Sequence, residues 1–140
     1  MDAMLRAYTS QSVREAEAPL LEAGVPLMAE ASAALATQVT RLLRAHGSRT
    51  AGSTVLLLVG AGNNGGDALH AGALLATRGA AVHAALLTDA AHEAGLAAAR
   101  TAGVRIHGLL DDARPGDAAR LDLPALADLA HRCGVWVDGI

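Results

Sequence analysis

Aromatic residues are almost missing from this chain, which has one Trp, one Tyr and no Phe in 140 residues. Any core must therefore be aliphatic. Ala dominates the 52% hydrophobic fraction, so helices are expected to pack closely over small side chains. The same shortage removes the stacking platforms that hold single-stranded nucleic acid. Basic clusters are missing too. Lys and Arg number 11 against 14 Asp and Glu, for a net charge of −3, and they fall singly along the sequence. That excludes the basic footprint of a nucleic-acid binder. A lone cysteine, Cys133, excludes an internal disulfide and a Cys-based zinc site. No apolar run reaches membrane-spanning length. The opening residues, Met1 to Arg6, lack the basic-then-apolar order of a signal peptide. The expectation is a cytoplasmic protein with no membrane and no nucleic acid among its partners, folded as one domain over residues 1–140.

Two helices are predicted first. One runs from about Ser10 to Ala23, with Val13, Ala16, Pro19 and Leu20 or Leu21 on one side, and Ser12-Val13-Arg14-Glu15 as a capping box at its start. Gly24 ends it. The second runs from about Pro26 to His46, with a stripe of Met28, Ala31, Leu35, Val39, Leu42 and Leu43, and Gly47 as its stop.

The pattern then changes. Thr54 to Val59 is an unbroken apolar run, as expected of a central strand buried on both faces. A glycine-rich loop follows, then a helix over about Asp67–Arg78 and a strand over Ala81–Leu87. Next come a helix over Asp89–Ala102, a strand over Val104–Leu109, a polar loop holding Asp111, Asp112, Pro115, Gly116 and Asp117, a helix over Leu123–Arg132 and a strand over Val135–Ile140. Strands alternating with helices form right-handed βαβ units on a parallel sheet. The fold expected is a Rossmann-like, three-layer α/β/α arrangement of about four strands in the order 3-2-1-4. The chain stops straight after a hydrophobic strand, which suggests a C-terminally truncated domain.

The loop is Gly60-Ala61-Gly62-Asn63-Asn64-Gly65-Gly66-Asp67. Its glycines match G-x-G-x-x-G between a strand and a helix, a pattern that lets backbone approach a phosphate. A tight turn without a ligand is the plainer reading. Asp67 at the helix start is suited to capping free N–H groups. Asn63 and Asn64 add amide oxygens which, beside carboxylates, suit a hard cation rather than zinc or copper. In the doubly wound order, strand four lies beside strand one, and ligands bind at the carboxyl ends between them. Asp138 ends strand four there, facing the loop, either as a site carboxylate or as a turn residue before Gly139. His70 follows one turn into the helix, against the ligand or packed on a neighbouring helix. His83 and His107 alternate with apolar residues, and no metal-ligand spacing connects the histidines. A G-x-S-x-G elbow and a P-loop lysine are both missing.

The segment Val59 to Leu69 resembles the signature of NAD(P)H-hydrate epimerases, the YjeF N-terminal domain family. Tyr8-Thr9, Val13 to Glu17, Gly24 to Met28 and Val137 to Ile140 are similar to other stretches of it. The resemblance implies interconversion of the R and S hydrates of NADH and NADPH. A dehydratase dependent on ADP or ATP then restores the intact cofactor, as a fused domain or a pathway partner. It implies that Asn63, Asn64, Gly65, Gly66 and Asp67 bind the substrate phosphate, that Asn64 and Asp138 bind a potassium ion, and that Asp138 assists proton transfer. It also implies a homodimer, and further site residues beyond Ile140 that this chain does not hold. An NAD-dependent oxidoreductase, with Asp89 near the ribose, is the alternative. A non-catalytic nucleotide-binding or scaffold domain is the second.

Overall fold

The structure, a computed structural model, describes residues 6–108 and 122–140. The polar loop with Asp111, Asp112 and Asp117 lies outside the described residues, as do Leu109 and the first five residues. The elements in order are α1 (Ser10–Glu22), α2 (Leu27–Ala45), β1 (Thr54–Val59), α3 (Gly62–Thr77), β2 (Ala81–Leu86), α4 (Glu93–Thr101), β3 (Arg105–Gly108), α5 (Leu123–Arg132) and β4 (Val135–Gly139).

The strands form one parallel sheet in the order β3-β2-β1-β4, as the alternating pattern predicts. β1 is central, and its register sets Leu57 beside Ala84 on one side and Val137 on the other. Alternate residues divide the faces. Val55, Leu57, Val59, Val82, Ala84, Ile106, Val135 and Val137 join the main core with Val39 and Leu43 of α2, Leu69 and Leu75 of α3, and Leu96 of α4. Leu56 and Ala85 face the other way and meet Leu129 of α5 in a smaller cluster. Among the described residues the first layer is deep and the second thin. Small residues allow the depth: a Cβ on Gly72 of α3 would press on the Leu57 side chain, 2.5 Å from its Cδ1.

Both opening helices differ in detail from expectation. α1 is capped by Thr9, whose hydroxyl accepts from the Ser12 amide at 3.1 Å, and not by the Ser12 capping box. It buries no residue: Val13, Leu20 and Leu21 are exposed. Four residues, Ala23 to Pro26, separate it from α2, with Gly24 at φ +75°, and the two helices meet at 120°. In α2 the buried face is Ser32, Ala36, Val39 and Leu43, while Ala31 and Leu42 point outward. Among the described residues no single helix is long and apolar enough to cross a membrane.

Candidate functional site

The chain leaves β1 through a very short turn. Gly60 donates its N–H to the Gly139 carbonyl at 3.0 Å, and a Cβ on Gly60 would lie 2.9 Å from Ile140 Cα. Ala61 is extended, Gly62 turns at φ +83°, and α3 begins. The helix therefore starts five residues before the expected Asp67. Asn-Asn-Gly-Gly reads as loop by intrinsic preference, but tertiary packing imposes helix on it. Gly65 packs directly on the Gly60 carbonyl oxygen, and Gly66 packs on His92. These two glycines serve closeness rather than conformational freedom.

The N-terminus of α3 is consequently bare. Ala61 offers no capping side chain, and the first turn holds no acidic residue. Its leading amides, with the exposed Asn63 and Asn64 side chains beside them, face the carboxyl edge of the sheet. A helix end in that state attracts an anion.

Asp138 reaches the same edge from β4, where it pairs in register with Leu58 and points outward. Its Oδ1 accepts from the Ile140 amide at 3.0 Å, while the Asn64 side-chain amide donates to the Ile140 carbonyl at 3.3 Å. Asn64 and Asp138 thus meet on one residue, as the strand order predicts. The Asp138–Ile140 bond is the one a turn residue makes, so the turn reading describes its present partner.

Asp67 needs the clearest correction. It does not cap the helix, because it is the sixth residue of α3 and half-buried on the side facing α2 and α4. Burial pushes its carboxyl above the usual range. His70, the Ser32 hydroxyl and His92 pull it back in part, and Glu17 adds to the rise. Its Oδ1 is buried without a hydrogen-bond partner. His70 packs, edge to face, 5.9 Å from the His92 ring centroid. It also lines an apolar cavity of about 730 Å³ under the α1–α2 elbow, with Leu21, Pro26, Met28, Ser32 and Leu74.

Sequence reasoning missed His92. α4 starts at Glu93 instead of Asp89, because the His92 Nδ1 accepts from the Gly95 amide at 3.0 Å and caps the helix there. Nothing local advertises this, since histidine is an unusual cap. On the opposite sheet face, His83 Nδ1 lies 2.9 Å from His107 Nε2, with the rings stacked. Burial, then His107, Arg105 and Arg132, hold His83 below its ordinary value. Cys133 ends α5 with its thiol pushed up by burial. Among the described residues no group of three or more His, Cys, Asp or Glu could hold a metal ion.

A parallel sheet in the order 3-2-1-4, flanked by helices on both faces and bearing a bare helix end at the switch point between β1 and β4, defines a Rossmann-like α/β domain. The chain belongs to the family described as the YjeF-related protein N-terminus, whose model matches residues 25–140. It is 45% identical over 133 residues to an NAD(P)H-hydrate epimerase of Clavibacter michiganensis, covering 95% of this chain and 51% of the relative. It is 47% identical over 105 residues to an NAD(P)H-hydrate epimerase of Microbacterium testaceum, covering 75% and 39%. It is 45% identical over 103 residues to the bifunctional NAD(P)H-hydrate repair enzyme Nnr of Mycobacterium tuberculosis, covering 71% and 22%. The chain thus spans about half the length of the first of these relatives, and less of the others. No solved structure matches it significantly.

Proposed function

We propose that this chain supplies one wall of a site that epimerises the R and S hydrates of NADH and NADPH, and so acts as an isomerase in nicotinamide nucleotide repair. The bare N-terminus of α3, facing Asp138 across the switch point, carries this reading. The substrate is a dinucleotide with a pyrophosphate, the type of anion a helix N-terminus receives. Asn63, Asn64, Gly65, Gly66 and Asp67 form the receiving segment. Asn63 and Asn64 present side-chain amides, and Gly65 and Gly66 keep the first turns close to the strands. Asp67 stands behind the turn and contributes through its neighbours, because its carboxylate faces inward.

A potassium ion fits the donors gathered at this edge. The Asn64 amide oxygen, the Asp138 carboxylate and nearby backbone carbonyls are all hard oxygen ligands. Asn64 and Asp138 are the residues that would hold it, and it would supply positive charge beside the substrate phosphate. We further assign Asp138 a part in proton transfer at the hydrated ring, as the family resemblance implies.

The relatives' names support the substrate, and the bifunctional one supports a second repair activity. We assign that activity to a dehydratase dependent on ADP or ATP, fused to this domain or acting as a separate partner. The exposed Val13, Leu20 and Leu21 of α1 support a homodimer. A cytoplasmic location follows from where free nicotinamide nucleotides are used. The deciding experiment follows R-to-S conversion of NADHX by the protein at its full natural length, with potassium and with sodium in its place. Accelerated conversion that depends on potassium is expected. No acceleration in either salt removes the reading. Conversion that is equal in both removes only the ion.

A further inference from the structure

We propose that His92 is a positioning residue for the phosphate-receiving turn, its ring setting where the first turns of α3 stand. This deepens the function proposed above and rests on it. A Cβ on Gly66 would lie 2.9 Å from the His92 Cγ and 3.1 Å from its Cδ2, so the ring occupies the space a side chain would need. The other side of the ring is held as well. Its Nδ1 takes the Gly95 amide at 3.0 Å, and a Cβ on Gly95 would meet that Nδ1 at 3.3 Å, the Gly66 carbonyl oxygen at 3.3 Å and the Leu69 Cβ at 3.1 Å. Two glycines, one in each helix, thus clamp one imidazole between the opening turns of α3 and α4. His70 closes a third side, edge to face.

Nδ1 accepts here, so the neutral ring carries its proton on Nε2. The orientation is fixed by a cap and by packing together, which is how a binding turn is held within a fraction of an ångström. Without the ring, the turn that presents the Asn63 and Asn64 amides loses the side chain that fills the space over Gly66 and keeps only the Gly95 contact on the α4 side. Residue 92 lies outside the glycine-rich motif, so this role belongs to the packing around the motif.

Three variants test it in the full-length protein: His92→Ala, His92→Asn and Gly66→Ala, the first and last also combined. Asparagine is a strong cap but too small to fill the space over Gly66. His92→Asn should regain the thermal stability that His92→Ala loses. Both should raise the KM for NADHX and the Kd for ADP-ribose by about tenfold, with kcat moving far less. Gly66→Ala should weaken binding alone and be partly rescued when His92→Ala vacates the space. If His92→Asn restores KM and Kd together with stability, His92 is a cap and nothing more. Strict additivity of Gly66→Ala and His92→Ala equally overturns the proposal. Should the wild-type protein fail to convert NADHX, the proposed function falls, while the ADP-ribose titration and the Gly66–His92 coupling still decide the role of His92.

Discussion

Asn64 and Ile140 are 76 residues apart in sequence, yet the Asn64 side-chain amide donates to the Ile140 carbonyl at 3.3 Å. The bond ties the first turn of α3 to the end of β4. Gly139 makes that approach possible, since a Cβ there would meet the Ala68 Cβ at 2.7 Å and the Leu58 carbonyl oxygen at 3.0 Å. The candidate site is therefore built on two backbone segments in direct contact, with the Asn64 and Asp138 side chains at their junction.

The glycines of this junction differ in kind. Gly65→Ala drives a methyl into the Gly60 carbonyl, backbone against backbone, and should cost about 2–3 kcal/mol. Gly62→Ala has open space but an unfavourable φ of +83°, and should cost about 1 kcal/mol. Urea unfolding of the two variants checks the order, and a reversal would mean that the turn relaxes around Gly65.

Leu57 is fully buried at the centre of β1, and its replacement by Ala should cost about 2–5 kcal/mol. Leu20 of α1 is 44% exposed in a helix with no buried residue, so Leu20→Ala should change stability by less than about 0.5 kcal/mol. The comparison holds for the monomer. A large effect of Leu20→Ala that grows with protein concentration would instead report the dimer.

The histidine pair makes the fold sensitive to acid. Burial first, and then His107, Arg105 and Arg132, lower the His83 value from 6.5. Below 6.5 the unfolded chain takes up a proton that the folded one refuses, so this contribution to stability is present above that pH and is lost as pH falls. His83→Asn should flatten the fall in melting temperature between pH 7 and pH 5. An unchanged slope would assign the acid sensitivity elsewhere.

Asp67 has the opposite dependence. Burial raises its value above 3.8, against the partial relief from His70, Ser32 and His92. The folded state therefore holds the proton longer than the unfolded state, and stability falls as pH rises through the gap. Asp67→Asn should raise the melting temperature at neutral pH, with the gain fading as pH approaches 3.8. A gain independent of pH would show that the charge is not its source.

The strand order and the meeting of loop with Asp138 are legible in the sequence. Apolar runs alternating with helices admit few connections, and Val135 to Gly139 places its carboxylate at a strand end by counting alone. The start of α3 is not legible. Asn63 to Gly66 have turn-forming side chains, and only their contacts with Gly60 and His92 make them helical. The same holds for Asp67, whose capping role depended on that boundary. His92 was invisible because its partners, Gly66 and Gly95, are joined through space and by an uncommon cap. In α1 the apolar stripe of Val13, Ala16, Pro19 and Leu20 states only what a helix can bury, and among the described residues it stays exposed.

The thin second layer leaves Trp136 59% exposed, with its indole N–H donating to the Ala130 carbonyl at 2.9 Å. The chain's single tryptophan is thus an intrinsic optical probe of the α5–β4 seam, and its emission is blind to the main core on the other face. Asp138 follows two residues later on the same strand face. Fluorescence thus follows the order of that seam, on the strand that carries the candidate site, without an added label.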